Sequence, residues 1–452
     1  MANPSANEPR SRVGLPRVWS TSQLNWGQTL PGVLGPLEPA RVQPSTNENR
    51  SNRSKVEATP PTLPVTAIDS FCMGARTSGE HVHSSQYSPA LDGLRAICIS
   101  VVLLYHLDPG GWFRGGYLGV SVFFALSGFL IVRNLATEVS TTGRVDVVRF
   151  WSRRVQRLAP ATLATVAAVL VFTKITERGW STNGLFGSTL AAAFSMMNGH
   201  VIHVGRQNVL YILGPLGPMW SLAVEEQFYF AIAVLFVVAR GRNTLRTVTI
   251  VLCAVTVASV AVSASLNDYL PRLEFGTDTR AAELALGGLL ALAVHRWPTL
   301  FTDRVVIKRA IGAVSLVVLV LLFTAVIGSP EVLFQGWIFV VALLSVAVII
   351  ALMTEGRLGR AASWPPLVAL GRISFALYLV HWPIILITPA PILGQSGLRA
   401  NIVRAVMCLL TAWLLHVVVE QPMRKMRSTP CRILLVWLSA LIALSAVAYA
   451  VL

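Results

Sequence analysis

From about residue 92 the chain alternates long apolar stretches with short polar connections. Each stretch is long enough, or nearly so, to cross a hydrocarbon core of roughly 30 Å as a helix. The pattern predicts spans near 92–107, 117–134, 158–174, 218–239, 246–266, 280–295, 309–327, 336–353, 370–388, 401–420 and 432–452. The stretch 184–199 stays open between a span, a re-entrant piece and an amphipathic surface helix, and counting it as a span would invert everything after it. Residues 1–86 are rich in Pro, Ser, Asn and Arg, show no sustained apolar periodicity and lack the apolar core of a signal peptide, so they are expected to be a disordered polar tail. The expected fold is an all-α polytopic membrane protein with a bundle of about 10 transmembrane helices. Its parts are the tail 1–86, a membrane domain 87–430 and an additional C-terminal transmembrane helix, the eleventh, at 431–452.

Composition agrees with this pattern. Of 452 residues, 54% are hydrophobic and 13% charged, and the mean hydropathy is +0.62. Such a chain is neither a disordered protein nor a disulfide scaffold. Its five cysteines have no CxxC spacing, and no metal site follows. The net charge of +16 would suggest nucleic acid, but most of the basic residues fall in alternate loops (133–157, 240–246, 295–309, 357–372 and 424–432). The opposite loops hold only Arg114, Lys174, Arg178, Arg206, Arg272, Arg280 and Arg399. If 184–199 does not cross, the positive-inside bias makes the first set cytoplasmic and puts the N-terminus in the cytoplasm. The expected location is therefore the cell membrane, multi-pass, with membrane lipids as partners and no nucleic acid. No internal repeat of the kind many transporters carry is apparent.

Ionisable residues inside spans are costly and are functional candidates by default. In the first span Arg95 and His106 are eleven residues apart, which is three helical turns plus about 20°, so they share a face about 16 Å apart along the axis. A snorkelling Arg95 with a capping His106 is one account of this spacing. The other makes His106 a general base, since an imidazole titrates near neutrality. Arg153, Arg154 and Arg157 form a dense guanidinium cluster suited to phosphate, or an ordinary stop signal. Ser221, Glu225 and Tyr229 form a stripe at i, i+4, i+8, where Glu225 could orient a histidine, hold a sugar hydroxyl or pair with an arginine. Arg280 has Glu283 at i+3, which makes a structural ion pair at least as good a reading as a catalytic one. Ser374, Tyr378 and His381 share another face. The second span, Gly119 to Phe129, supplies small residues for close helix packing.

Taken in order, the runs LDGLRAICISVVLLYH, GGYLGVSVFFALSGFLI, FWSRRVQRLAP, MWSLAVEEQFYF, TDTRAAELALGGLLA and LGRISFALYLVHWP resemble the acyltransferase 3 family of bacterial integral-membrane O-acyltransferases over roughly residues 86–430. The resemblance implies a bundle of about ten spans. It also implies transfer of an acyl group, acetyl or another short one, from cytoplasmic acyl-CoA to a hydroxyl of a cell-envelope glycan, glycolipid or glycosylated natural product. Acyl-CoA, with acetyl-CoA the expected form, would be a donor substrate, and no permanently bound cofactor is expected. The family's arginine, ten residues, histidine motif falls on Arg95 and His106, its RxxR motif on Arg154 and Arg157, and its EEQFY run on Glu225 to Tyr229. The resulting assignment makes His106 and Glu225 catalytic and Arg95, Arg153, Arg154 and Arg157 donor-binding. Ser221, Tyr229, Arg280, Tyr378 and His381 would contact the acceptor. The rival reading is a transporter of a hydroxylated or acylated envelope precursor or metabolite through the same polar cavity.

Overall fold

The computed structural model describes residues 87–108, 111–176, 182–207, 214–266, 270–301, 303–324, 333–388 and 397–451. The polar tail expected at 1–86 lies outside the described residues, apart from which every regular element found is helical. In chain order the helices are α1 Pro89–Leu107, α2 Gly119–Thr142, α3 Val147–Thr176, α4 Thr182–Ala193, α5 Met197–Gln207 and α6 Trp220–Val238. There follow α7 Thr244–Ser265, α8 Leu270–Phe275, α9 Thr277–Arg296, α10 Val305–Thr324, α11 Ile338–Met353 and α12 Arg357–Ala362. The last are α13 Pro365–Arg372, α14 Ser374–Ile387, α15 Gly397–Leu415, α16 Gln421–Lys425 and α17 Pro430–Val451. Local chemistry marks several ends. Proline opens α1 and α13, where its missing N–H is harmless, and Gly143, at φ 73°, closes α2 in the left-handed conformation.

Among the described residues nine helices are long and apolar enough to span a membrane, and a bent pair adds a tenth. This is a multi-pass membrane protein. Four details depart from the sequence expectation. The helix at the span placed near 280–295, α9, is not among these nine. The span placed at 370–388 is broken, because α13 and α14 meet at an angle of 64° around Ile373. The span placed at 158–174 begins eleven residues earlier: α3 runs through Pro160, so Arg153, Arg154 and Arg157 sit on the spanning helix itself. The ambiguous stretch 184–199 is two short helices broken at Ser195, whose φ is 55°. The 12 residues of α4 rise about 18 Å, short of a bilayer core. The C-terminal helix α17 is present and packs on α3 and α4.

The centre of the bundle is α9, which packs against α2, α7, α11 and α6. It is 20 residues long and reaches about 30 Å, but Asp278, Arg280 and Glu283 make it far less apolar than its neighbours. In lipid, helices associate through close packing and hydrogen bonds rather than through the hydrophobic effect. Here two glycines bring α2 and α9 together reciprocally. A Cβ on Gly128 would lie 1.9 Å from the Leu284 carbonyl oxygen, and one on Gly287 would lie 1.9 Å from that of Ala125. At one end of α1 the same device recurs, Gly93 meeting the Ala362 carbonyl and Gly371 that of Asp92.

Gly287→Ala should therefore force α2 from α9 and cost about 1–3 kcal/mol. Gly199→Ala, on α5 with nothing near the added methyl, should be neutral or stabilising by up to about 1 kcal/mol. Thermal unfolding of both variants in detergent checks the contrast, and equal melting temperatures would contradict the close-contact account.

Candidate active site

Two polar clusters lie on the face of α1 that carries Arg95 and His106. The first joins α1 to α14. The His106 ring lies 5.0 Å from the His381 ring and 5.1 Å from the Trp382 ring, centroid to centroid, with Tyr105 at 5.0 Å on its other side. Each imidazole is oriented by its own helix. His106 Nδ1 donates to the Val102 carbonyl at 2.9 Å, and His381 Nδ1 donates to that of Tyr378 at 2.7 Å. A carbonyl only accepts, so in the neutral ring the lone pair falls on Nε2 in both cases. His381 is fully buried, and its Nε2 has no hydrogen-bond partner among the described residues. Buried polar atoms left in that state are few in native proteins and invite a functional explanation.

The backbone preceding α6 caps this cluster. The Tyr378 hydroxyl donates to the Pro218 carbonyl at 2.8 Å and accepts from Ser221 at 2.7 Å. Trp382 Nε1 donates to the Gly214 carbonyl at 3.1 Å. Ser221 and Tyr378, both expected to meet an acceptor, thus bind each other and fix this segment beside the histidines.

The second cluster surrounds Glu225. Its two carboxylate oxygens accept from Ser127 at 2.9 Å and Tyr229 at 2.8 Å. The Arg154 guanidinium lies flat against the Tyr229 ring, 3.6 Å from its centroid. It stands 3.8 Å from Glu225 and 3.6 Å from Glu226, too far for hydrogen bonds. Its buried Nε has no hydrogen-bond partner among the described residues. Arg95, 3.8 Å from Asp92, and Arg157 lie within electrostatic range of Arg154. Three guanidinium groups from α1 and α3 therefore share one region with Glu225, about three turns along α1 from His106.

Two of the expected site residues lie elsewhere. Arg153, one position and 100° from Arg154, is more than half exposed and faces Glu138 at 3.6 Å. Arg280 is 2% exposed and fully engaged: Nε and Nη2 bind Glu283 at 2.5 and 3.2 Å, Nη1 binds the Glu274 carbonyl at 2.8 Å, and Nη2 also reaches Ser121 at 3.1 Å. Phe124, Trp220 and Phe334 surround it. It serves as a brace between α9, α2 and α8, which is the structural reading of its Glu283 spacing. Sequence reasoning missed Ser127, hidden in a run of small residues, and Glu226, which reads as pointing away from the Glu225 stripe. It also missed Glu274 on the connecting helix α8. Burial pushes the Glu274 carboxyl up to about 7 against the pull of Arg280, and its charge is felt at Tyr105 and Tyr378.

A family model described as an acyltransferase domain matches residues 88–417. The O-acetyltransferase OatA of Staphylococcus aureus strain NCTC 8325 / PS 47 is 32% identical over 362 residues, covering 76% of this chain and 58% of that protein. The peptidoglycan O-acetyltransferase OatA of Listeria monocytogenes is 31% identical over 361 residues, covering 76% and 57%. A putative O-acetyltransferase of Staphylococcus aureus strain MSSA476 is 31% identical over 356 residues, covering 75% and 58%. The chain thus spans less than two thirds of the length of these relatives, and no solved structure matches it significantly. The matched residues take in both clusters, from Arg95 to His381, and on that match the chain belongs to the acyltransferase 3 family.

Proposed function

We propose that the protein is a membrane O-acyltransferase that takes an acetyl or other short acyl group from cytoplasmic acyl-CoA and moves it to a hydroxyl of a cell-envelope glycan or glycolipid. The observation that carries this reading is the pair of adjacent imidazoles from α1 and α14, both held through Nδ1 with Nε2 left as base, with Arg95 on the same face of α1 as His106 and clustered with Arg154 and Arg157 of α3. The names of the relatives, acetyltransferases of which one acts on peptidoglycan, favour acetyl and an envelope glycan. The basic loops favour a cytoplasmic N-terminus, which would put Arg95, Arg154 and Arg157 toward the side where acyl-CoA is made.

In this reading the phosphates of the donor meet Arg95, Arg154 and Arg157, whose forks suit phosphate oxygens, and the pantetheine arm runs along α1. His106 Nε2 removes the proton from the acceptor hydroxyl as its oxygen attacks the thioester carbonyl. The C–S bond then breaks, and the departing sulfur takes the proton back from the imidazolium, leaving an ester and free CoA thiol. His381 lies tilted beside His106, and its bare Nε2 is available to accept from a second hydroxyl of the acceptor and so hold the attacking one in line. Glu225 is kept charged-side inward by Ser127 and Tyr229, so it acts on Arg154 rather than on His106.

Replacing His106 by Ala should lower acceptor-dependent release of CoA thiol by about 10²–10⁴-fold, the range for a positioned general base, with KM for acyl-CoA nearly unchanged. Normal turnover in the folded variant would refute the assignment. Solute flux in liposomes with no thiol release over a wide panel of acceptors would favour the transporter instead.

Arg157→Ala should act on the other parameter. Loss of a charge-assisted phosphate contact, about 1.5–3 kcal/mol, should raise KM for acetyl-CoA roughly 10- to 100-fold and leave KM for the acceptor in place. Arg153→Ala, on the exposed side of the same helix, should do neither. Steady-state kinetics with each substrate varied separate the two arginines.

A further inference from the structure

The family match ends at residue 417, and nothing above gives the C-terminal helix α17 a task. It packs along α3 and against α4, and Trp437 on its inner face forms one wall of a cavity of about 350 Å³, within the range of small-molecule sites. The other walls come from α3, α6 and the junction of α4 with α5. The cavity is apolar over most of its length, with Leu158, Leu163, Met219 and Leu222 toward one end. Toward the other, between Trp151 and Phe230, stand Arg154, Glu226 and Gln227. From Trp151 to Leu163 along α3 the rise is about 18 Å, so the space is long, narrow and parallel to the helices. Phe194, Met196 and Phe230 at its mouth are more than half exposed on the outer surface of the bundle, the side that faces lipid. Gln227 holds that mouth in shape by donating to the Ser195 carbonyl and to Asn198.

This combination is a tail slot with a polar end. Resting on the acyltransfer reading above, we propose that the crevice receives the apolar chain of a lipid-anchored acceptor from the bilayer, its polar head meeting Glu226 and Gln227. Three observations select this occupant. Acetyl, the group named for the relatives, has no long chain to house, so the slot is not needed for the donor. The Glu226 carboxylate at the polar end stands 3.6 Å from Arg154, too far for a hydrogen bond, which leaves an acceptor for a hydroxyl of the head. The polar end adjoins Glu225 and Tyr229, which belong to the site itself. The chain passes from one apolar surrounding to another, so little affinity comes from burying it; the slot instead holds the head beside the site, which gives the enzyme a preference for acceptors held in the membrane.

The test uses the full chain reconstituted in phosphatidylcholine liposomes and a hexadecyl glucoside carrying a diazirine in its chain. After photolysis, adducts should concentrate on α3, α6 and α17 around Leu163, Leu222 and Trp437. An excess of hexadecyl glucoside should suppress them and methyl glucoside should not. Leu163→Trp, which fills the slot, should reduce this labelling at least tenfold while acyl-CoA binding is unchanged. Trp437→Ala, which removes the wall instead, should also reduce it. Labelling spread evenly over the lipid-facing surface, or insensitive to both substitutions, would overturn the proposal. Focused labelling in a protein that releases no CoA thiol with any acceptor would uphold the slot and sink the acyltransfer reading alone.

Discussion

A charged side chain placed among membrane helices has to be solvated by the protein itself, and this constraint separates arginines that are fully engaged from those that are not. Arg280 meets it completely. Its guanidinium is paired to Glu283, bonded to the Glu274 carbonyl and Ser121, and enclosed by aromatic faces. The bonds to Glu274 and Ser121 tie α9 to α8 and α2, so the charge is a cross-brace of the bundle, and α9 can be more polar than the helices packed on it and still be central. Arg154 meets the constraint only loosely. Two carboxylates stand near it at 3.6 and 3.8 Å, the Tyr229 ring supports its face, and Nε is unbonded within the described residues. The charges balance without hydrogen bonds closing the group off. A guanidinium in that condition is stable enough to persist and free enough to take an incoming oxygen.

The same contrast explains how much of the site could be read from the sequence. The shared face of Arg95 and His106 was legible because it depends only on the 100° step of one helix. The spans were legible because a bilayer demands long apolar runs, and nine helices of the required length and composition are there. What lay beyond reach were the relations between helices. Arg153 and Arg154 are equivalent as letters, and only the neighbours of α3 decide that one faces Glu138 outside and the other the Tyr229 ring. His381 was visible as a histidine in an apolar span, whereas its contact with His106 is made by the 64° break between α13 and α14, which the apolar pattern of 370–388 hides. Arg280 had its i+3 partner in plain view. Its saturation required Ser121 and Glu274, which no local spacing connects to it.

Close packing accounts for the placement of both clusters. Where glycine removes the side chain, two helix backbones approach to contact, and several such contacts sit beside the candidate clusters. Gly128 follows Ser127, the residue that holds Glu225, so the α2 and α9 crossing also sets the height of that carboxylate. Gly93 and Gly371 clamp the start of α1 against α12 and α13, two residues before Arg95 and just before the bend that swings His381 toward His106. One pair of contacts thus fixes the arginine end of α1 and the other partner of its histidine end.

A buried acceptor left unpaired carries a cost of about 1–3 kcal/mol, and a protein whose total stability is only about 5–15 kcal/mol has little reason to keep one without use. His381 Nε2 is such an atom. It could be relieved by a hydroxyl within the bundle, and Tyr378, one turn away, has one. Yet that hydroxyl is turned to the Pro218 carbonyl and Ser221, and the histidine ring is locked the other way by the Tyr378 carbonyl. The two bonds that Tyr378 makes keep its own hydroxyl occupied and the imidazole nitrogen bare. An arrangement in which the nearest donor is withheld from a buried base is what a site needs if that base is to be met by a hydroxyl from outside.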